Sequence, residues 1–280
     1  MRTIAATAFL LSLFPIGVIA ATANVINQAE ISMIVSGHAR FGQAGRVEGI
    51  SFDQESKIPI DVKALIRGKA AQWLIESESS SNAGFNATPE KVALTARIVG
   101  HRQTNGDVAI RIKSIHFGPL NPGVELKSEN FTKPVYPSAL ASTNAAGTVY
   151  LLAQLSSQGE VLQVVPEQVN LYVMGEDARM REVRDLFASS AVLAAQRWKF
   201  EVKESTSVDS ITVRIPIEYV APGGRRLAYG QWETYMPGPR TNAPWLPSMQ
   251  EGADEADTVA SHSLQIIGER SARRQILGEG

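Results

Sequence analysis

Gly147-Thr148-Val149-Tyr150-Leu151-Leu152-Ala153-Gln154-Leu155-Ser156-Ser157-Gln158-Gly159-Glu160-Val161-Leu162-Gln163-Val164-Val165 reads as a β-hairpin. Its first limb is β-branched, aromatic and aliphatic, residue types that fit a pleated surface. Ser156 to Gly159 supplies turn chemistry, with Gly159 free to take a positive φ, and Val161, Leu162, Val164 and Val165 form the returning limb.

Reading outward, Lys133-Pro134-Val135-Tyr136-Pro137 runs extended, because each proline fixes φ and removes a backbone donor. A short helical turn over Ser138 to Ser142 follows. Downstream, Asp177 is suited to cap a helix running to about Arg197, its carboxylate accepting free N–H groups at the positive end of the dipole. Val183, Phe187, Ala191, Ala194 and Trp198 recur every three to four residues and mark its buried face. Ser210 to Val220 then alternates apolar with polar residues. Pro216 within it cannot donate to a ladder, which favours a sheet edge. The order is ββαβ, a helix on a small antiparallel sheet.

Tyr136-Pro137, Ala139, Gly147, Gly159, Ala194-Ala195-Gln196-Arg197-Trp198-Lys199-Phe200 and Val213-Arg214-Ile215-Pro216-Ile217 occur in the order in which this stretch resembles the C-terminal domain of the TonB energy transducer. The resemblance covers roughly a third of the chain. It implies docking of the periplasmic segment of an outer-membrane transporter by strand addition, in which main-chain bonds supply affinity and side-chain pockets supply choice. On that basis Tyr136, Pro137, Ile211, Val213, Ile215, Ile217 and Tyr219 are the expected partner-binding residues, and proline at Val213 or Ile215 is expected to abolish edge pairing. Two family features are not visible: the apolar start contains no histidine, and no Pro-rich spacer precedes the unit.

The rest of the 280-residue sequence sets the context. A net charge of −1 gives no basic excess for nucleic acid, and the lack of cysteine leaves neither a disulfide nor a lipid-bearing thiol. Arg2, the apolar run Ile4 to Ile19 and the small residues at Val18-Ile19-Ala20 or Ala21-Thr22-Ala23 fit a secretory signal over residues 1–23, cleaved to release a periplasmic protein without a membrane span. The competing reading keeps the uncharged stretch Thr3 to Val25 as an inner-membrane anchor facing the periplasm.

Residues 24–118 form a second expected α+β unit. Ile31 to Phe41 and Val47 to Phe52 read as strands about an Ala44-Gly45 turn, and Ile60 to Glu76 has helical spacing. Lys91 to His101 and Asp107 to Phe117 read as a hairpin through Asn105-Gly106. The helix end Ala70-Ala71-Gln72-Trp73 echoes Ala194-Ala195-Gln196-Arg197-Trp198, which suggests a degenerate copy of the ββαβ unit; chance similarity is the other explanation. Residues 119–132 read as a linker, 133–220 as the TonB-like unit, and 221–280 as an irregular tail rich in proline and aromatics.

That tail contains Tyr229, Trp232, Tyr235 and Trp245. It reads either as a strap laid on the protein's own sheet or as an arm docking on a partner. Leu264-Gln265-Ile266-Ile267 fits a short strand or helix. The four histidines are scattered, and no nucleophile elbow, phosphate loop or metal-ligand spacing occurs. The expectation is therefore a non-enzymatic, cofactor-free and metal-free docking protein that supports TonB-dependent transport, with a stand-alone interaction module lacking energy transduction as the alternative. Its partner would be a peptide of an outer-membrane transporter or another periplasmic protein, and an exposed edge also allows a strand-paired homodimer.

Overall fold

The structure is a computed structural model that describes residues 2–4, 28–42, 46–73, 90–103, 107–117, 124–126, 131–202, 210–224, 226–246 and 265–267. Among these, two α-helices and antiparallel strands make a mixed α+β protein.

The first sheet combines β1 (Arg2–Ile4), β2 (Glu30–Phe41), β3 (Val47–Phe52), β4 (Glu90–Arg102), β5 (Val108–Phe117) and β11 (Glu233–Tyr235). Its order is β1-β5-β4-β2-β11, with β3 sharing the outer edge of β2. In β2 the residues Met33, Val35, Ala39 and Phe41 point to one face. They meet Val62, Ile66 and Ala70 of α1 (Ile60–Ala70), so a two-residue period packs against a helical one. This helix is shorter than expected. The Trp73 amide bonds the Ala70 carbonyl at 3.0 Å, turning the indole into the core against Phe117, and residues 74–76 lie outside the described set. The Ala44-Gly45 and Asn105-Gly106 turns lie outside it too.

The second sheet has the order β12-β10-β7-β8, built from β7 (Gly147–Ser156), β8 (Val161–Leu171), β10 (Ser210–Tyr219) and β12 (Gln265–Ile267). Val149, Leu151, Ala153 and Leu155 of β7 and Ile211, Val213, Ile215, Ile217 and Tyr219 of β10 share the face beneath α2 (Asp177–Ala195). From α2 come Met180, Val183, Phe187, Ala191 and Ala194, the stripe expected from the spacing with one further turn. The cap is Glu176 in extended conformation and makes no side-chain cap bond. Asp177 is instead in the first turn, where its charge still faces the positive end of the dipole.

The short strand β6 (Val124–Leu126), inside the range expected to be a linker, pairs with β9 (Phe200–Val202), and neither was foreseen. Next to them the hairpin turn is pinned. Phe200 donates its amide to the Gly159 carbonyl at 2.8 Å, and Glu160 bridges Lys199. Gly159 has φ +78°, and a Cβ there would lie 1.9 Å from the Phe200 carbonyl oxygen. Gly159→Ala is therefore expected to cost more than the ~1–2 kcal/mol of a left-handed L-residue alone, as a lowered urea midpoint would show.

The tail laces the two sheets together. β11 pairs with Glu30–Ser32 of β2, and the next residue, Met236, exchanges both backbone bonds with Leu171 at the end of β8. The Tyr229 hydroxyl accepts from the Ser36 amide at 3.0 Å and donates to the Ser36 carbonyl at 3.2 Å. Tyr229 and Trp232 pack on the first core, Tyr235 is fully buried, and the Trp245 indole donates to Thr212 Oγ1 at 3.1 Å. Residues 226–246 lie on the chain's own sheets.

Candidate docking edge

Strand addition needs outward-pointing backbone groups, and the hydrogen bonds of the second sheet fix which residues have them. Leu171 gives its amide to Met236, so it points away from β7, and Thr241 likewise bonds the Glu167 carbonyl. Backbone direction alternates along a strand. Asn170 therefore faces β7 and pairs with Thr148. It follows that odd residues of β7 face β10 and, by register, odd residues of β10 face β7. The outward set on β10 is Ser210, Thr212, Arg214, Pro216 and Glu218. Pro216, which has no N–H, falls in that set, so the ladder to β7 runs unbroken from Ser210 to Tyr219.

This parity separates backbone from side chain in the expected site. The side chains of Ile211, Val213, Ile215, Ile217 and Tyr219 are buried beneath α2, and their amides serve β7. Proline at Val213 or Ile215 would thus break the internal ladder, whereas the outer edge is addressed at Thr212. The structure does gather Tyr136, Pro137 and Tyr219 at one end of β10. Tyr136 sits edge-on to Phe187 at 5.8 Å and 6.4 Å from Tyr219, while Phe187 stacks on Tyr219 at 4.4 Å. The Tyr136 hydroxyl donates to the Ala145 carbonyl at 2.7 Å, and Pro137 precedes the 3-10 turn Ser138–Leu140. Burial pushes both phenols above their ordinary value, so they stay neutral.

The opposite edge of the sheet is engaged over Glu167–Leu171. On β8 the outward carbonyl of Glu167 is taken by Thr241, that of Val169 by Arg184 Nε at 3.2 Å, and Leu171 by Met236. Arg184 also reaches the Pro237 carbonyl at 3.3 Å, and desolvation lowers its pKa. On β10 the outer side pairs over Thr212–Arg214 with β12, in the register Thr212 with Ile267 and Arg214 with Gln265. Among the described residues no strand pairs with it beyond Arg214.

No family model, curated protein or solved structure matches the chain.

The face of this sheet away from α2 carries a charged cluster that the sequence pattern does not reveal. Pairing steps from Tyr150–Gln168 to Leu151–Pro166, leaving Glu167 as the extra residue of a bulge. Arg214 donates to it through Nε at 2.5 Å and Nη2 at 2.8 Å, and Arg240 of the strap through Nε at 3.1 Å and Nη2 at 2.7 Å. Glu167 is fully buried and Arg214 is 2% exposed. The triad holds the strap over the outer face of β10 and β8 and leaves the strand edge to the main chain. Among the described residues no helix is long and apolar enough to cross a membrane.

Proposed function

We propose that the chain is a periplasmic TonB-like protein that docks an extended segment of an outer-membrane transporter on the outer edge of β10, in support of TonB-dependent transport. The observation that carries the proposal is the contrast between the edges. Over Glu167–Leu171 the outward carbonyls of β8 are engaged by the strap and Arg184, while β10 turns Thr212, Arg214, Pro216 and Glu218 outward and pairs there with a three-residue strand. Strand addition supplies main-chain affinity at such an edge. The TonB-like marks support the reading by falling at junctions: Gly159 at the pinned turn, Trp198 at the helix end, and Tyr136 against Phe187.

Two parallels support dividing the chain into two ββαβ-type units. In each sheet the long strand after the helix lies beside the first strand, giving β4-β2-β3 and β10-β7-β8. In each, a tryptophan three residues past the last helical alanine gives its amide to that alanine's carbonyl, Trp73 to Ala70 and Trp198 to Ala195. A second functional reading, a stand-alone interaction module without energy transduction, is favoured by what separates the apolar start from the second unit. That segment has its own sheet, helix and core in place of a spacer.

Binding of a fluorescent peptide from the periplasmic segment of a transporter tests the edge. Thr212→Pro removes an outward donor and is expected to weaken binding about tenfold or more, while Thr212→Val, which loses only the hydroxyl bonded by Trp245, retains it. Equal binding by Thr212→Pro and the parent removes the proposal.

A further inference from the structure

The middle of the outer edge of β10 has an occupant from the same chain. Gln265–Ile267 pairs antiparallel with Thr212–Arg214, and by the parity above Thr212–Ile267 and Arg214–Gln265 are the bonded pairs. We infer that Gln265–Ile267 is an internal competitor that caps the docking edge, and that the edge selects uncharged, antiparallel strands of the same kind. The inference rests on the docking-edge reading and adds to it the regulation and preference of that edge.

Three physical points carry it. A three-residue strand pairs weakly by itself, so its hold depends on tethering, which supplies an effective concentration on the order of millimolar. Among the described residues its pairing reaches Arg214, two residues short of Pro216, the outward position with no amide to give. A longer incoming strand therefore gains bonds from Ser210 toward Arg214, across the positions the cap holds. The third point is charge. The Arg214 guanidinium is held by buried Glu167, so the capped stretch presents no free cation, and the capping residues Gln265-Ile266-Ile267 are themselves uncharged. A cap of this kind also protects an edge strand from pairing with other chains.

The test uses the full chain, its Gln265→Pro/Ile267→Pro variant, and a fluorescein-labelled peptide of residues 261–270 as the probe. Proline at both positions removes the two amides that face β10 without touching β10 itself. The probe is expected to bind the variant about tenfold or more tighter than the parent, because a site available a tenth of the time shows a tenfold weaker apparent affinity. The Thr212 amide is expected to exchange faster in the variant without the probe. Equal affinity for both proteins, including no binding to either, overturns the proposal, as does unchanged Thr212 exchange. A transporter peptide run in parallel separates the two claims. If it binds parent and variant equally, docking holds and the cap falls; if only the 261–270 probe binds, and prefers the variant, the cap holds and transporter docking falls.

Discussion

Glu167→Ala is expected to lower the stability of the folded chain by about 3–5 kcal/mol, the cost of leaving a buried cation without its partner. Arg214 cannot escape: it is 2% exposed, lies in the middle of β10, and both of its donors to Glu167 would lose their acceptor. Arg240, 26% exposed at its side chain, can turn toward water, so the penalty falls mainly on Arg214. Two further results identify the cause. Replacing the pair together, as Glu167→Met with Arg214→Met, is expected to recover most of the loss, because a buried ion pair returns little beyond what an apolar pair of similar volume provides. Arg240→Ala is expected to cost far less than Glu167→Ala. Urea unfolding of the four proteins measures all three differences, and a Glu167→Ala midpoint equal to the parent's would mean that the triad does not hold the sheet face.

Trp198→Ala is expected to cost about 3–5 kcal/mol as a large-to-small core change. The indole is 4% exposed, packs at 5.5 Å from Phe131 and 6.4 Å from Phe200, and donates to the Thr132 carbonyl at 2.7 Å. It therefore fastens the lead-in segment and β9 to the end of α2. Trp198→Phe is expected to retain most of the packing and lose only the hydrogen bond, about 1 kcal/mol. A Trp198→Ala protein that melts with the parent would show the side chain to lie outside the core.

The hairpin from Gly147 and the helix from Asp177 were legible because period, turn glycine and helix end all agree locally. Ile31–Phe41 and Val47–Phe52 were legible for the same reason and become β2 and β3. Local agreement fails for β6 and β9, three residues each, whose pairing joins positions far apart in sequence. It also fails for the second face of the sheet. Thr148, Asn170, Thr212 and Arg214 occupy the polar phase of alternating strands, which by itself reads as water-facing, yet all are buried. The cause is tertiary: the strap covers that face, and Glu167 is turned toward Arg214 by a bulge that no local pattern announces. At the candidate site the sequence identifies the strand, through Pro216, but not the direction of its amides. The residues singled out as apolar contacts, Ile211 to Tyr219 in odd steps, are core side chains, and the edge belongs to the backbone of their even neighbours. The tie between the tail and both sheets could not be read either, because β11 pairs with residues some two hundred positions earlier.

The central claim is that β10 accepts an extended peptide on its outer side, and amide exchange at residue resolution tests it most directly. In the Gln265→Pro/Ile267→Pro protein the account predicts that a transporter-derived peptide slows exchange at Thr212, while Val213 and Ile215, already bonded to β7, keep the same slow rates. Slowing at the odd positions, or at the strap with Thr212 unchanged, would contradict it.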